Sequence, residues 1–387
     1  MTIKSNLSYS LAIYAFSCIL CFKVNAQEPE FSGFSRLVTG ATLGDDAQYA
    51  GHHDDFTFKA DSLIGLQLDI DIAKNLSATA QLLGTLDKQK HSGLEWLYLN
   101  YTPTSATSIK LGQLRTSFFT FSDVLDVGYA YHWIKPPEEV YASFFFSHFD
   151  GINIQHNVVN KSFTTKIEAF YGQFDDEVSF NNVTFEPKVE KFTGLALTTE
   201  LNAISVRMAY SSGDVSIHDE GLTPLVAGLQ QVNQGLAANA LLLDGKMEYY
   251  QIGLSYDSLD YFIKSEWINL KHDFYLLSEG ESFYISGGYQ YDDFTFHLTF
   301  ADRDDEYNNP LPALSLPAVP DFMPLIQGYN AVGTNLTEGD QNSWTLGLRW
   351  DFSPGFAFKS EAKKIDYSAK AQADTRLVTF ALEWVFQ

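Results

Sequence analysis

The stretch "ESFYISGGYQYDDFTFHLTFADRD", residues 281–304, contains two runs in which every second residue is large and apolar. The alternating residues are Phe283, Ile285, Tyr289 and Tyr291 in the first run, and Phe294, Phe296, Leu298 and Phe300 in the second. Successive side chains of a β-strand point to opposite faces, so this period of two predicts two strands, each with one apolar face. Asp292 and Asp293 between them predict a tight turn, and the stretch as a whole predicts a β-hairpin.

The same alternation recurs along the chain and gives sixteen predicted strands. They cover residues 31–43, 56–72, 76–88, 93–102, 107–115, 149–158, 163–174, 190–200, 202–212, 246–257, 259–271, 280–291, 294–302, 342–352, 356–366 and 374–386. Short turns follow the even-numbered strands and longer segments follow the odd-numbered ones, as is typical of an outer-membrane barrel. The sequence therefore predicts an all-β fold, a transmembrane antiparallel up-and-down β-barrel of about sixteen strands.

The membrane explains why such a chain would close into a barrel. Backbone N–H and C=O groups in hydrocarbon need internal partners, which only a helix or a closed sheet supplies. The predicted runs match tilted spanning strands of about ten residues. A secreted soluble β-sandwich or β-propeller is the alternative, although strict alternation over so many strands at one spacing is unusual in those folds.

Composition limits the partners of the protein. The chain carries 25 Lys and Arg against 48 Asp and Glu, a net charge of −23. This excess of acid argues against nucleic acid as a partner and is compatible with cations. Aromatic residues make up 15% of the chain, too many for a disordered acidic protein. No window after residue 26 is apolar over the roughly 20 residues that a membrane helix needs.

The first residues predict a secretory signal peptide, residues 1–26, that is cleaved before Gln27. Lys4 precedes a short apolar run that is followed by small residues ending at Ala26. Cleavage would leave one outer-membrane β-barrel domain, residues 27–387, without the two cysteines, Cys18 and Cys21. It would also remove Lys4 and Lys23 but no acidic residue, which changes the net charge from −23 to −25.

The segment 116–148 is the most unusual of the long connections. It contains many aromatic residues, and its acidic residues are Asp123, Asp126, Glu138 and Glu139 against a lone Lys135. Long loops of this kind are usually functional or disordered, and the aromatic residues argue against disorder. Folded inward, the segment would narrow the lumen and present carboxylates to it. In the alternative reading, the acids only solvate the loop and the aromatic rings only pack it on the wall.

Basic side chains are expected on the inner wall, because Lys or Arg facing lipid at mid-depth costs about 2–4 kcal/mol. Strand phase places a set of basic residues inward or at the start of the loop: Arg115, Arg207, Lys264, Arg349, Lys359 and Lys363. Facing the acidic loop, they would create a transverse field across a polar constriction. The alternative is ordinary lumen polarity without such a constriction. Arg115 is the candidate for anchoring the loop carboxylates to the wall.

The stretch "GQLRTSFFTFSDVLDVGYAYHWIKPPEEVY", residues 112–141, is similar to a segment of porins from marine gammaproteobacteria. With the signal peptide, the sixteen strands and the aromatic last strand, the whole chain after residue 26 resembles the Gram-negative outer-membrane porin superfamily. The resemblance implies a homotrimeric channel whose third extracellular loop folds into the pore. It also implies that the outer-membrane assembly machinery reads the last strand.

Other motifs carry weaker expectations. Residues 52–55, "HHDD", have ligand types for a transition metal but no second ligand set, which favours a solvated loop. The acidic runs at 175–177 and 302–306 could hold divalent cations that bridge lipopolysaccharide phosphates, although they lack EF-hand spacing. The apolar segment in 213–245 predicts a short amphipathic helix, and the prolines in 308–326 predict an absence of regular structure. No nucleophile-elbow, HExxH or phosphate-loop motif is present in the sequence. We therefore expect no catalytic residues, no cofactor and no metal.

The sequence leads to one functional hypothesis and two alternatives. The hypothesis is a porin for passive diffusion of small hydrophilic solutes and ions, with a preference for cations as a second hypothesis. One alternative is a channel selective for sugars or oligosaccharides, in which inward aromatic residues such as Tyr249 and Tyr284, together with those of the segment 116–148, stack on the solute. The other is a non-transporting barrel that acts as an adhesin or as a tether to lipopolysaccharide.

The last predicted strand, "VTFALEWVFQ" at residues 378–387, has one strongly apolar face. Val378, Phe380, Leu382, Trp384 and Phe386 are expected to face outer-membrane lipid, and Thr379, Ala381 and Glu383 to face the lumen. The strand is expected to close the barrel by pairing with the first one.

Overall fold

The protein is described by a computed structural model that covers residues 28–44, 47–87, 92–143, 146–180, 183–334, 336, 339–368 and 374–387. The predicted signal peptide, residues 1–26, lies outside the described residues.

Sixteen strands form a closed barrel in which each strand is antiparallel to both of its neighbours. They are β1 Glu30–Thr42, β2 Leu63–Ala73, β3 Leu76–Thr85, β4 Gly93–Thr104, β5 Thr107–Arg115, β6 His148–Val159, β7 Thr164–Asp175, β10 Pro187–Leu201, β11 Ile204–Ile217, β12 Leu243–Asp257, β13 Tyr261–His272, β14 Glu279–Tyr291, β15 Phe294–Glu306, β16 Gln341–Ser353, β17 Phe356–Tyr367 and β18 Thr375–Phe386. A separate hairpin, β8 Val178–Phe180 with β9 Val183–Phe185, lies in the loop after β7 and was not predicted. The predicted fold class is confirmed.

Two local predictions are also confirmed. Tyr291 and Phe294 are paired across the turn between β14 and β15, and Asp292 adopts the positive φ of 55° that tight hairpin turns require. The last strand closes the barrel on the first, with Leu382 opposite Leu37.

The predicted second strand begins too early. Residues 56–62 run beside the upper part of β1 with a single bridge, between Gly40 and Thr57, and β2 begins only at Leu63. Phe56 is 60% exposed and stacks on Phe380 of β18, with ring centroids 6.5 Å apart. Phe56 thus packs on the outside of the barrel without belonging to a continuous strand.

Strand phase separates an apolar outer face from an inner one. In β18, Leu382 and Phe386 are exposed on the outside, while Thr379, Ala381 and Glu383 are buried inside. Val378, Phe380 and Trp384 share the outer phase and are half-buried. The same apolar exposure recurs around the barrel, including Leu66, Leu97, Leu195, Leu298 and Leu346. This is the face that hydrocarbon requires.

Within the described residues, four α-helices lie in the long loops: α1 Glu138–Tyr141, α2 Thr223–Gln231, α3 Gly235–Ala240 and α4 Met323–Thr334. Helices α2 to α4 pack on one another around Leu229 and Tyr329. The helical expectation for 213–245 is confirmed, but α4 begins inside the proline-rich stretch. Pro324 is its second residue, where the first helical turn has no use for the missing N–H. Among the described residues, no helix is both long and apolar enough to cross a membrane.

Candidate functional site

The loop between β5 and β6, residues 116–147, folds into the barrel, and we call it the constriction loop. It contains two single-turn 3₁₀ helices, Ser122–Val124 and Gly128–Ala130, followed by α1. Its side chains or backbone bond to residues of β1, β11, β13, β14, β15, β16 and β17. The loop is therefore attached to more than one side of the inner wall.

Aromatic packing fixes the loop against the wall. Phe118 is 2% exposed and meets Tyr249 of β12 edge to face, with ring centroids 5.2 Å apart. Trp133 is 1% exposed, meets Tyr284 of β14 at 5.4 Å, and donates from Nε1 to Thr299 Oγ1 at 2.8 Å. Burial of these rings inside a barrel that would otherwise hold water favours docking of the loop.

Basic side chains of the wall bind backbone carbonyls of the loop, and Lys359 and Arg349 each bind more than one. Lys359 Nζ donates to the carbonyl oxygens of Gly128, Tyr131 and Trp133 at 2.8, 2.7 and 2.6 Å. Arg349 donates to the carbonyls of Tyr129 and Tyr131, both at 2.8 Å. Irregular backbone that is buried needs partners for its polar groups, and these cations supply them.

Carboxylates of the wall bind the donors of the loop. Glu266 of β13 accepts from the Thr120 N–H at 3.0 Å and from the Tyr141 hydroxyl at 2.7 Å. Glu361 of β17 accepts from the Ile134 N–H at 2.8 Å. These N–H and O–H donors of the loop therefore form hydrogen bonds with negatively charged carboxylates of the wall.

The acidic residues of the loop have different environments. Asp126 forms an ion pair with Arg115, which also pairs with Glu95 at 2.7 Å. Glu139 is buried and lies 3.3 Å from Lys363 of β17. Burial would raise the pKa of Glu139, but the charge of Lys363 and several hydrogen bonds outweigh it and lower that pKa.

The two remaining acids lie apart from that group. Glu138 pairs with Lys135, which also lies 3.2 Å from Asp61 in the first long loop. Asp123 is exposed and lines a cavity. The four acids expected at one constriction are therefore distributed over separate contacts.

The predicted transverse field, in which six basic wall residues face the acidic loop across water, needs correction. Lys359 and Arg207 are buried beneath the loop, at 0% and 6% exposure. The Arg207 guanidinium donates to the backbone carbonyl of Ser117 at 2.7 Å. Lys264 pairs with Asp257 at 3.3 Å and lies over the Phe121 ring. The expectation that Tyr249 and Tyr284 stack on a solute is wrong for this conformation, because the loop buries both rings.

Sequence reasoning missed Arg36 of β1. Its guanidinium donates to the Tyr131 hydroxyl at 3.0 Å and to the Ile134 carbonyl at 2.8 Å, and it is 1% exposed. The sequence signal that could have found it was an Arg within the first predicted strand. Gly, Ser and Thr interrupt the apolar alternation of that strand, so its inward face was hard to assign.

Solvent-accessible polar side chains remain on the opposite part of the inner wall. They lie on β2, β4 and β5 and include Gln67, Asp69, Trp96, Tyr98, Asn100 and Lys110, all half-buried. Lys110 lies over the Tyr98 ring at 5.2 Å from its centroid. The short-turn end of this region opens into a cavity of about 500 Å³.

The other candidate motifs do not assemble into a metal site. His52 pairs with Asp61 at 3.4 Å, and His53, Asp54 and Asp55 are exposed. Asp175 pairs with Lys188 at 3.2 Å, and Asp305 pairs with Arg303 at 2.8 Å. Within the part of the chain that the structure describes, no group of three or more His, Cys, Asp or Glu is placed to hold a metal ion.

A closed antiparallel barrel of sixteen strands with an apolar outer face and an internal loop defines the outer-membrane porin-type fold. The architecture is that of an integral outer-membrane β-barrel.

Solved structures with this architecture include the outer-membrane channel DcaP of Acinetobacter baumannii, at 11% identity and a TM-score of 0.59 over 94% of this chain and 99% of that one. OmpF of Salmonella typhi, solved with daunomycin, matches at 11% identity and 0.58 over 92% and 97%. A loop-deletion mutant of OmpT, an outer-membrane protein of Vibrio cholerae, matches at 12% and 0.58 over 93% and 100%. No protein-family profile and no curated protein sequence matches the chain.

Proposed function

We propose that the protein is an outer-membrane porin that lets small hydrophilic solutes and ions diffuse between the constriction loop and the inner faces of β2 to β5. The observation that carries the proposal is the unequal burial of the inner wall. Gln251, Ser286, Thr299 and Lys359 are at most 2% exposed beneath the loop. The polar side chains of β2, β4 and β5 keep contact with solvent.

The chemistry of that open side fits hydrophilic solutes. Asn100 accepts from Ser108 at 2.6 Å, and Asp69 accepts from Thr79, so hydrogen-bonding groups line the wall at several depths. Polar linings of this kind replace part of the hydration shell of a passing solute. The proposal assigns no catalytic step, cofactor or metal.

The excess of carboxylates on the solvent-accessible wall formed by β2, β4 and β5 motivates the proposal of a preference for cations. Asp69 and Asp71 on β2 and Asp123 on the loop retain exposure, against Lys110 on β5. An excess of carboxylates along a narrow passage raises the local concentration of cations. Reversal potentials across a planar bilayer under a salt gradient test this, and an anion preference would contradict it.

Site-directed thiol modification tests the position of the passage. Both cysteines of the chain, Cys18 and Cys21, lie in the predicted signal peptide, so a mature protein would have no background thiol. A cationic methanethiosulfonate reagent is expected to lower the conductance of Asn100→Cys and to leave Ser286→Cys unchanged, since Ser286 is buried under the loop. Block of the Ser286 variant alone would place the passage elsewhere.

The same recordings separate the proposal from its rival. A folded protein that never conducts would favour a non-transporting barrel, such as an adhesin or a tether to lipopolysaccharide. The resemblance to porins also motivates proposals of a homotrimer and of recognition of β18 by the outer-membrane assembly machinery. Conductance steps that occur in threes would support the trimer.

A further inference from the structure

The cavity at the short-turn end lies between the constriction loop and the inner wall. Residues of β1 to β4 and of the end of β18 line it, together with Asp123, Val124 and Val127 of the loop. Its volume of about 500 Å³ lies in the range of small-molecule sites. Gln67, Gln81 and Trp96 provide hydrogen-bonding groups on its wall.

A chain of hydrogen bonds fixes the orientation of the two glutamines. The Asp69 carboxylate only accepts, so Gln67 must present its amide nitrogen to it, at 2.7 Å. Gln67 Oε1 then accepts from Gln81 Nε2 at 2.9 Å. Gln81, which is 3% exposed, is left with its carbonyl oxygen Oε1 without a partner among the described residues.

An unpaired donor lies beside that unpaired acceptor. Trp96 is the cross-strand partner of Gln81, so the two side chains are neighbours on the inner face. The Trp96 indole Nε1 is also buried and has no hydrogen-bond partner in the described part of the chain. A buried polar group left unpaired destabilises the protein, so a guest that pairs with both groups would recover much of that free energy.

We propose that Gln81 and Trp96 form a binding site for an uncharged polyhydroxylated solute, such as a sugar or an oligosaccharide. One hydroxyl group can accept from the indole N–H and donate to the amide carbonyl at the same time. A simple cation offers no acceptor to the indole, and an anion would meet the Asp123 carboxylate, which lines the cavity. The site rests on the proposed function, because it lies at one end of the proposed passage.

Current block by maltotriose in planar bilayers tests the site. We expect a saturable reduction of conductance, with a half-blocking concentration about tenfold higher in Trp96→Phe, since one hydrogen bond worth about 1.4 kcal/mol corresponds to tenfold. Phenylalanine keeps a six-membered aromatic ring and removes the N–H donor together with the five-membered ring of the indole. Gln81→Leu is expected to show a similar loss. Trp344→Phe is the matched control, because Trp344 is 48% exposed on the outer face.

The outcomes distinguish this site from the channel itself. A protein that conducts but shows only a linear, unsaturable decrease, equal in all variants, overturns the site and leaves the channel intact. If the protein does not conduct, the proposed function fails, and fluorescence of the folded protein in detergent still tests the site. A maltotriose-dependent change that disappears in Trp96→Phe supports it, and a change that persists or never occurs overturns it.

Discussion

The Lys359 ammonium and the Glu383 carboxylate lie 2.7 Å apart, and neither side chain is exposed. Lys359 belongs to β17 and Glu383 to the closing strand β18. Because Lys359 also binds three carbonyls of the constriction loop, this pair joins barrel closure to loop docking. A charge in that position without a partner would be strongly unfavourable.

Replacement of Lys359 by Met should therefore release the loop. It leaves the Glu383 charge buried and removes the donor from three carbonyls, and we expect a loss of about 3–5 kcal/mol in unfolding free energy. Denaturant unfolding of the folded barrel measures that loss, and conductance should rise. Lys364→Met is the control, because Lys364 pairs with Asp366 at 2.7 Å on an exposed face and should cost at most about 1 kcal/mol. Equal effects of the two variants would contradict the coupling.

A methyl group at Gly128 should have a similar effect on the loop by steric means. A Cβ there would overlap the Glu383 carboxylate, so Gly128→Ala must displace either that carboxylate from Lys359 or the loop from β18. We expect higher conductance and faster proteolysis within residues 116–147. Gly235→Ala is the control, since a Cβ at that position meets nothing within 4 Å. A Gly128→Ala protein with unchanged conductance would show that the loop accommodates the methyl group.

The barrel follows from local pattern, whereas the internal contacts of the loop do not. Alternation is a property of each strand, and it was enough to predict the hairpin at Asp292 and the closure of β18 on β1. It also predicted that Lys359 and Glu383 point inward. The partners of Lys359 are backbone carbonyls, which carry no sequence signature, and the path of the loop through the barrel decides which of them meet the cation.

The same limit explains the error about the inward tyrosines. Strand phase places Tyr249 and Tyr284 inside, but an inward ring faces solute only if nothing else covers it. The aromatic residues of the loop cover both rings. Sequence composition alone offered both readings, packing and constriction, and the structure shows extensive packing.

Acidification should weaken docking of the loop through His132. Burial lowers the pKa of His132 well below its ordinary 6.5, and the nearby His297, Lys264, Lys359 and Arg349 lower it further. A group whose pKa is lower in the docked state loses docking free energy as pH falls below its free value. Glu139, whose pKa is also lowered, acts in the same direction below about 4.5.

We therefore expect that both the rate of proteolysis within residues 116–147 and the conductance increase as the pH falls from 7 to 5. His132→Gln keeps a polar side chain without the titration, so it should flatten the profile over that interval. His297→Gln is the necessary companion, because the two rings lie 4.8 Å apart. A His132→Gln, His297→Gln double variant with the wild-type profile would assign the pH response to other groups.

Removal of the Phe118 ring should loosen the aromatic core that holds the loop. The ring is 2% exposed and lies 5.2–5.6 Å from the rings of Tyr249, Phe146 and Phe192. Truncation of such a residue to Ala typically costs about 3–5 kcal/mol. Phe296→Ala removes an equal volume from the outer face, where the ring is 48% exposed, and should leave proteolysis of the loop unchanged. If Phe118→Ala left the loop as resistant to protease as the wild type, its hydrogen bonds to the wall would be sufficient to hold it.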